Sequence, residues 1–370
     1  MFKSIQAAAV LLVLGFYQPD AVAQITALQA NNPWSFGVNG YYGGLFRYKS
    51  DLPPLSFTNT TGVEVYAHQH TLGDKPWQVL YRYPQIGFAF SYYHYGVPDE
   101  LGEAFTLTTY LDNVLLQGRK NSLRLNLGTG LVYSTRYYIP EINEGNKAIG
   151  SPLAFVLRAT LRYEFPLRRN TFLNVNLAFR HFSNGGLNKP NNGMNFPMVG
   201  LGARFQHREV MREPTPEEAP PAPDKSTHLN VRLGVGVKEV LLVDEKHPVY
   251  NLSVYGSRRI SNASALLLGA DGFYDTALRE EFINVGLPVP DEDLDARMAG
   301  LTVGHELHLN RLSVVVQLGR YIYQPLGLFP DYYQRYGLKY NIYNRMSASV
   351  MLLAHTRTAN VVEWGAGWQL

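Results

Sequence analysis

Apolar and polar residues alternate along most of this chain with a period of two, and helix-period segments are nearly absent. In one stretch Leu173, Val175, Leu177 and Phe179 take one parity, while Asn174, Asn176, Ala178 and Arg180 take the other. Strand side chains point to opposite faces in turn, so this is a strand with one apolar and one polar face. The same pattern predicts strands near 34–46, 62–69, 84–95, 103–116, 122–135, 152–165, 172–183 and 196–207. Residues 228–370 give about eight more.

The connections alternate too. Those at 47–61, 96–102, 136–151 and 184–195 are long or polar, whereas those at 117–121 and 166–170 are tight. Segments of about ten alternating residues, with long loops on one side and short turns on the other, are the signature of a transmembrane β-barrel. Residues 70–83 are longer than that pattern explains. In the second half, tight turns fall at Ser261-Asn262, Asn310-Arg311 and Asn344-Arg345, with a long acidic loop near 275–296 on the opposite side. Asp291, Glu292, Asp293 and Asp295 lack the spacing of a known calcium loop and read as solvated. Between the halves, residues 209–227 are acidic and proline-rich and read as an extended linker.

Composition narrows the class. There are 25 Tyr and 33 Gly, no Cys, and a formal charge of only +3. Near-neutral charge leaves no nucleic-acid footprint. Lys3, the apolar run Ala7 to Phe16 and the small residues Ala21-Val22-Ala23 read as a secretory signal peptide over 1–23. An exported chain without cysteine is not held by disulfides. The fold expected is therefore all-β, an antiparallel transmembrane barrel rather than a soluble sandwich. The halves, 24–208 and 228–370, are expected to close as one barrel of about 14–16 strands in preference to two tandem eight-stranded barrels. Tyrosine clusters such as Tyr92-Tyr93-His94-Tyr95 and Tyr137-Tyr138 read as interfacial girdles.

One strand end carries chemistry. His181 and Ser183 continue the apolar parity of the strand containing Leu177 and Phe179. Their Cα atoms lie about 6.5–7 Å apart along a strand, within reach of a hydrogen bond between the side chains. That is the minimum for a serine nucleophile and its base. Asn195 shares the parity of Val199 and Leu201 on the next strand and so points to the same exterior side. A strand end meeting polar head groups would also tolerate these residues, and Asn and Gly also populate loops for conformational reasons alone.

His181-Phe182-Ser183-Asn184, followed by Pro190-Asn191-Asn192-Gly193, resembles the PagL-type lipid A 3-O-deacylases, also called acyloxyacyl hydrolases. The resemblance is strong over about 178–205 and looser over 34–208. It implies an outer-membrane barrel that hydrolyses an ester-linked acyl chain of lipid A, with Ser183 as nucleophile and His181 as base. It further implies oxyanion donors at Asn184 and Asn191, and no cofactor or metal. At Asn195 the family pattern has an acid that orients the histidine. An amide can orient the ring but adds no charge, and Glu141 or Glu144 on the third long loop is an alternative source of a carboxylate.

The second half lacks the motif. It echoes the first around His355, which is followed by Thr356-Arg357 with no serine, and is read as a degenerate repeat with a structural or substrate-positioning role. The expected function is thus a serine esterase in the outer membrane of a Gram-negative bacterium. Its expected partners are lipid A, lipopolysaccharide or another outer-leaflet lipid, with no nucleic acid and with a homodimer left open. The rivals are a non-enzymatic barrel, channel or adhesin, with a decayed motif, and a calcium-dependent phospholipase-type barrel.

Overall fold

The alternating segments pair as antiparallel neighbours, and the pairing closes on itself twice. The computed structural model describes residues 34–46, 59–206, 222–241, 243–284, 286, 294–356 and 358–370. The signal-peptide reading, most of the proline-rich linker and the acidic run 291–293 lie outside them. The first barrel comprises β1 (Trp34–Gly43), β2 (Thr60–His70), β3 (Gln85–His94), β4 (Glu103–Gln117), β5 (Ser122–Ser134), β6 (Leu153–Arg168), β7 (Thr171–Ser183) and β8 (Met194–Gln206). The second comprises β9 (Thr227–Val240), β10 (Val243–Arg259), β11 (Ser264–Asp275), β12 (Arg297–Leu309), β13 (Leu312–Tyr323), β14 (Tyr332–Tyr343), β15 (Met346–His355) and β16 (Thr358–Gln369). Two short helices, α1 (Pro76–Leu80) and α2 (Leu278–Asn284), interrupt connections.

The expected single barrel of about 14–16 strands is overturned. β8 returns to β1, with Tyr41 opposite Gly200, and β16 returns to β9, with Trp364 opposite Val235. Eight strands enclose a lumen just wide enough for side chains to fill, and each half brings the charges to fill one. In the first lumen Arg158 and Arg180 flank Glu64 at 3.0 and 3.4 Å, Arg124 and Arg162 pair with Asp112, and Arg204 pairs with Glu164. In the second, Arg232 and Arg335 converge on Glu363 at 2.8 and 3.1 Å, and Arg335 also reaches Asp271. All of these groups are buried. The channel rival therefore meets two lumens packed with ionic cores.

The opposite parity forms the outside. Phe36, Val65, Phe90, Leu107, Leu127, Leu177 and Leu201 are exposed on the first barrel, as are Leu233, Leu252, Leu268, Leu301 and Leu318 on the second. Exposed apolar surface on this scale marks a lipid or protein contact. Two tyrosines expected in the girdle turn inward instead. Tyr93 and Tyr95 share parity with the lumen-facing Ser91 and pack on Phe182 and Phe196 in an apolar plug at the long-loop end. Tyr92 alternates outward and donates to Glu103 at 2.6 Å.

The unexplained length of 70–83 is α1 and its flanks. Tyr81, one residue past α1, donates from its hydroxyl to the main-chain oxygen of His308 in the second barrel, at 2.9 Å. Both groups lie at the short-turn ends of their barrels.

The buried charges make a testable claim. Glu64→Ala leaves Arg158 and Arg180 uncompensated, and removing one partner of a buried pair costs about 3–5 kcal/mol. Glu103→Ala breaks only a contact near the surface and should cost under about 1 kcal/mol. Urea unfolding of the refolded protein in detergent, followed by heat-modifiable gel migration, separates the two. Equal midpoints would mean that the ionic core does not hold the barrel.

Candidate active site

β7 delivers the motif to the long-loop end with the expected parity. Asn174, Asn176, Ala178, Arg180 and Phe182 face the lumen, while Val175, Leu177 and Phe179 are exposed. His181 is half-buried on that outer face, and Ser183, one step further, is buried at 8% exposure. The inward residues on either side of His181 hold the strand end. Arg180 binds Glu64, Tyr93 and Thr160, and Phe182 wedges between Tyr93 and Phe196.

Across the β7–β8 ladder His181 stands opposite Asn195. The Asn195 Oδ1 lies 2.8 Å from His181 Nδ1. A carbonyl oxygen only accepts, so this contact assigns the proton to Nδ1 and leaves the Nε2 lone pair free to act as a base. Glu141 and Glu144 do not take that place. They are exposed on their loop, where the Glu144 carboxylate accepts from the Glu141 main-chain N–H at 3.2 Å.

Ser183 Oγ receives two N–H groups, from Asn191 Nδ2 at 2.9 Å and from the Gly185 main chain at 3.2 Å. Asn191 completes a ring by accepting the Asn184 main-chain N–H on its Oδ1 at 3.2 Å. Asn184 turns its own amide into the loop. Its Nδ2 donates to Ser151 Oγ and to the Asn188 main-chain oxygen, and its Oδ1 accepts from the Gly186 N–H. The loop therefore brings Asn191 onto the serine and uses Asn184 as a brace. Gly185 and Gly186 have φ of +69° and +90°, a region that side chains disfavour.

Sequence reasoning missed two of these groups. The Gly185 N–H is a main-chain donor with no side-chain signature. Ser151, in the preceding long loop, carries no motif that joins it to Asn184. Among the described residues no cluster of His, Asp and Glu is suited to a metal ion. The counterpart position in the second barrel is built differently. His355, on β15, faces the lumen, where its Nε2 meets Tyr321 Oη at 2.9 Å and its ring stacks on Phe329.

The chain resembles the crystal structure of the outer membrane enzyme PagL at 17% identity, covering 45% of this chain and 97% of that one, with a TM-score of 0.30. A porin triple mutant from Rhodopseudomonas blastica matches at 8% identity, over 91% of this chain and 100% of that one, with a TM-score of 0.20. The siderophore receptor PirA from Acinetobacter baumannii matches at 8% identity, over 92% and 58%, with a TM-score of 0.22. No curated protein matches the chain. Two family descriptions match in succession: lipid A 3-O-deacylase (PagL) over residues 61–204, and acyloxyacyl hydrolase, C-terminal domain, over 227–370. The chain accordingly belongs to the PagL-type lipid A 3-O-deacylase, or acyloxyacyl hydrolase, family of Gram-negative outer-membrane barrels.

Proposed function

We propose that the first barrel is a serine esterase that removes an ester-linked acyl chain from lipid A or a related acylated glycolipid. The observation that carries this reading is the shared outward parity at the end of β7: Ser183 Oγ held by two N–H donors, and, two residues before it on the same strand, a histidine whose Nδ1 is fixed by Asn195. His181 Nε2 takes the Ser183 proton as Oγ attacks the ester carbonyl. Asn191 Nδ2 and the Gly185 N–H are placed to stabilise the oxyanion of the tetrahedral intermediate. His181 then returns the proton to the departing sugar hydroxyl. Water, deprotonated by the same nitrogen, releases the acyl chain from Ser183.

Depth in the membrane supports a lipid substrate. Thr171 to His181 spans ten residue steps, about 33 Å along a strand. At the usual tilt of ~40° this is about 25 Å of height, matching the apolar band of such barrels. His181 thus falls at the upper margin of the band, where ester groups join acyl chains to sugar.

Refolded protein should release a fatty acid from purified lipid A in detergent, read by mass spectrometry of the lipid. Ser183→Ala and His181→Ala should each cut the rate by about 10³-fold or more, with heat-modifiable migration unchanged. If both variants keep the wild-type rate, the mechanism is wrong.

The supporting groups give a graded series. Asn191→Ala should lower kcat by about 10²–10³-fold, as for loss of one oxyanion donor. Asn195→Ala should lower activity, because the imidazole loses its orienting partner. Asn195→Glu should preserve or raise it, because a carboxylate also stabilises the imidazolium. A neutral Asn195→Ala beside an inactive Glu141→Ala or Glu144→Ala would move the orienting role to the third long loop.

A further inference from the structure

One acid on the outside of the second barrel has no work to do there. On β9, Leu229, Leu233 and Val235 are exposed on the outward parity, with Val231 and Val237 half-buried. Glu239 continues that apolar row, yet it is buried. A carboxylate on a lipid-facing parity is costly unless it is paired. Apart from Lys246 opposite it on β10, its partners lie on the first barrel, in the loop that follows Ser183.

Most of the contacts are to the loop's main chain, and the Asn188 side-chain amide adds one to Glu239 Oε2 at 3.3 Å. The Glu239 N–H donates to the Gly186 oxygen at 3.2 Å. Its Oε1 accepts the Lys189 main-chain N–H, also at 3.2 Å. Lys246 pairs with the Glu239 carboxylate and donates to the Leu187 main-chain oxygen. β16 presses on the same loop. A Cβ added to Gly185 would lie 2.3 Å from Val362 Cγ2, and one added to Gly186 would lie 2.4 Å from the Asn360 oxygen. The loop thus runs between its own barrel, through Asn184 and Ser151, and the wall of the second.

We infer that Glu239, with Lys246, is a positioning residue for the reaction: the second barrel clamps residues 186–189 and so holds the Gly185 N–H and Asn191 on Ser183. The inference rests on the esterase reading above. A loop that starts with two glycines has wide conformational freedom, and a misplacement of about 1 Å can cost about 10²-fold in rate. The clamp removes that freedom from the side which the first barrel leaves open.

The test uses full-length protein in lipid A micelles, with active sites counted by a fluorophosphonate that labels Ser183. Glu239→Ala should lower kcat per titrated site by about 10–100-fold and change KM by less than about twofold. The labelling rate constant should fall in parallel. Glu239→Gln, whose amide oxygen still accepts from Lys189, should recover most of the loss. Lys246→Gln removes a half-exposed cation, leaves the fold intact and should lower kcat about threefold to tenfold; it keeps the test open if Glu239→Ala does not fold. A purely structural role would reduce the number of titrated sites while leaving kcat per site at the wild-type value. That result, or wild-type kcat in both Lys246→Gln and Glu239→Ala, overturns the inference. Ser183→Ala separates the two levels. If it is inactive while the Glu239 and Lys246 variants match wild type, only the clamp is wrong. If it is active, the esterase reading fails first.

Discussion

A carboxylate with no exposure sits in the middle of the first barrel, and the strand that carries the candidate site is tied to it. Glu64 accepts from Asn39 and Tyr41 on β1 and from Ser91 on β3, and it pairs with Arg158 on β6 and Arg180 on β7. Five strands thereby converge on one charge. Inside a protein such a pair is strong, and breaking it is expensive. Arg180 also donates to Tyr93 and Thr160, so its inward orientation is fixed many times over. Strand parity then does the rest. With Arg180 inside, His181 must point out, and a slip of one residue would exchange them. The lumen chemistry therefore decides which face of the barrel carries the site.

An exterior site has a difficulty that a pocket does not. Lipid supplies no hydrogen bonds and no fixed walls. The first barrel answers with the ladder neighbour Asn195 and with the loop braced by Asn184, Asn191 and Ser151. The second barrel covers the loop's remaining side with Glu239, Asn360 and Val362. At the short-turn end, Tyr81 of the first barrel holds His308 of the second. Contacts at both ends give the two barrels a common alignment.

Much of this was legible in the sequence because the period-two pattern depends only on local geometry. The strand positions, the outward parity of His181, Ser183 and Asn195, and the polar lining Arg158, Thr160, Arg162 and Glu164 all follow from it. Closure did not follow. Whether β8 pairs with β1 or with β9 is a long-range choice, and both choices present the same alternation. The inward turn of Tyr93 and Tyr95 was readable from the parity of Ser91, but the tyrosine cluster suggested a girdle and outweighed it. The Gly185 donor leaves no side-chain trace. Glu239 did leave one, an acid at the end of an outward row of Leu and Val on β9, but its meaning depends on a loop some 50 residues away.

His355 shows how the two barrels came to differ in use. It occupies the seventh strand of its barrel, as His181 does in the first, but it shares the parity of the buried Ser349, Met351 and Leu353. Side chains alternate along a strand, so this parity alone turns the histidine inward. Here the result is a histidine that faces the lumen, stacks on Phe329 and meets Tyr321. That geometry closes the end of the second lumen and keeps this imidazole off the lipid face. The outer surface at the same level is instead given to Val362, packed on the loop that follows Ser183 in the first barrel. A polar exterior with an outward histidine and a smooth apolar wall are alternative outcomes of the same strand end. The chain places one of each side by side, so that the wall of the second barrel flanks the candidate site of the first.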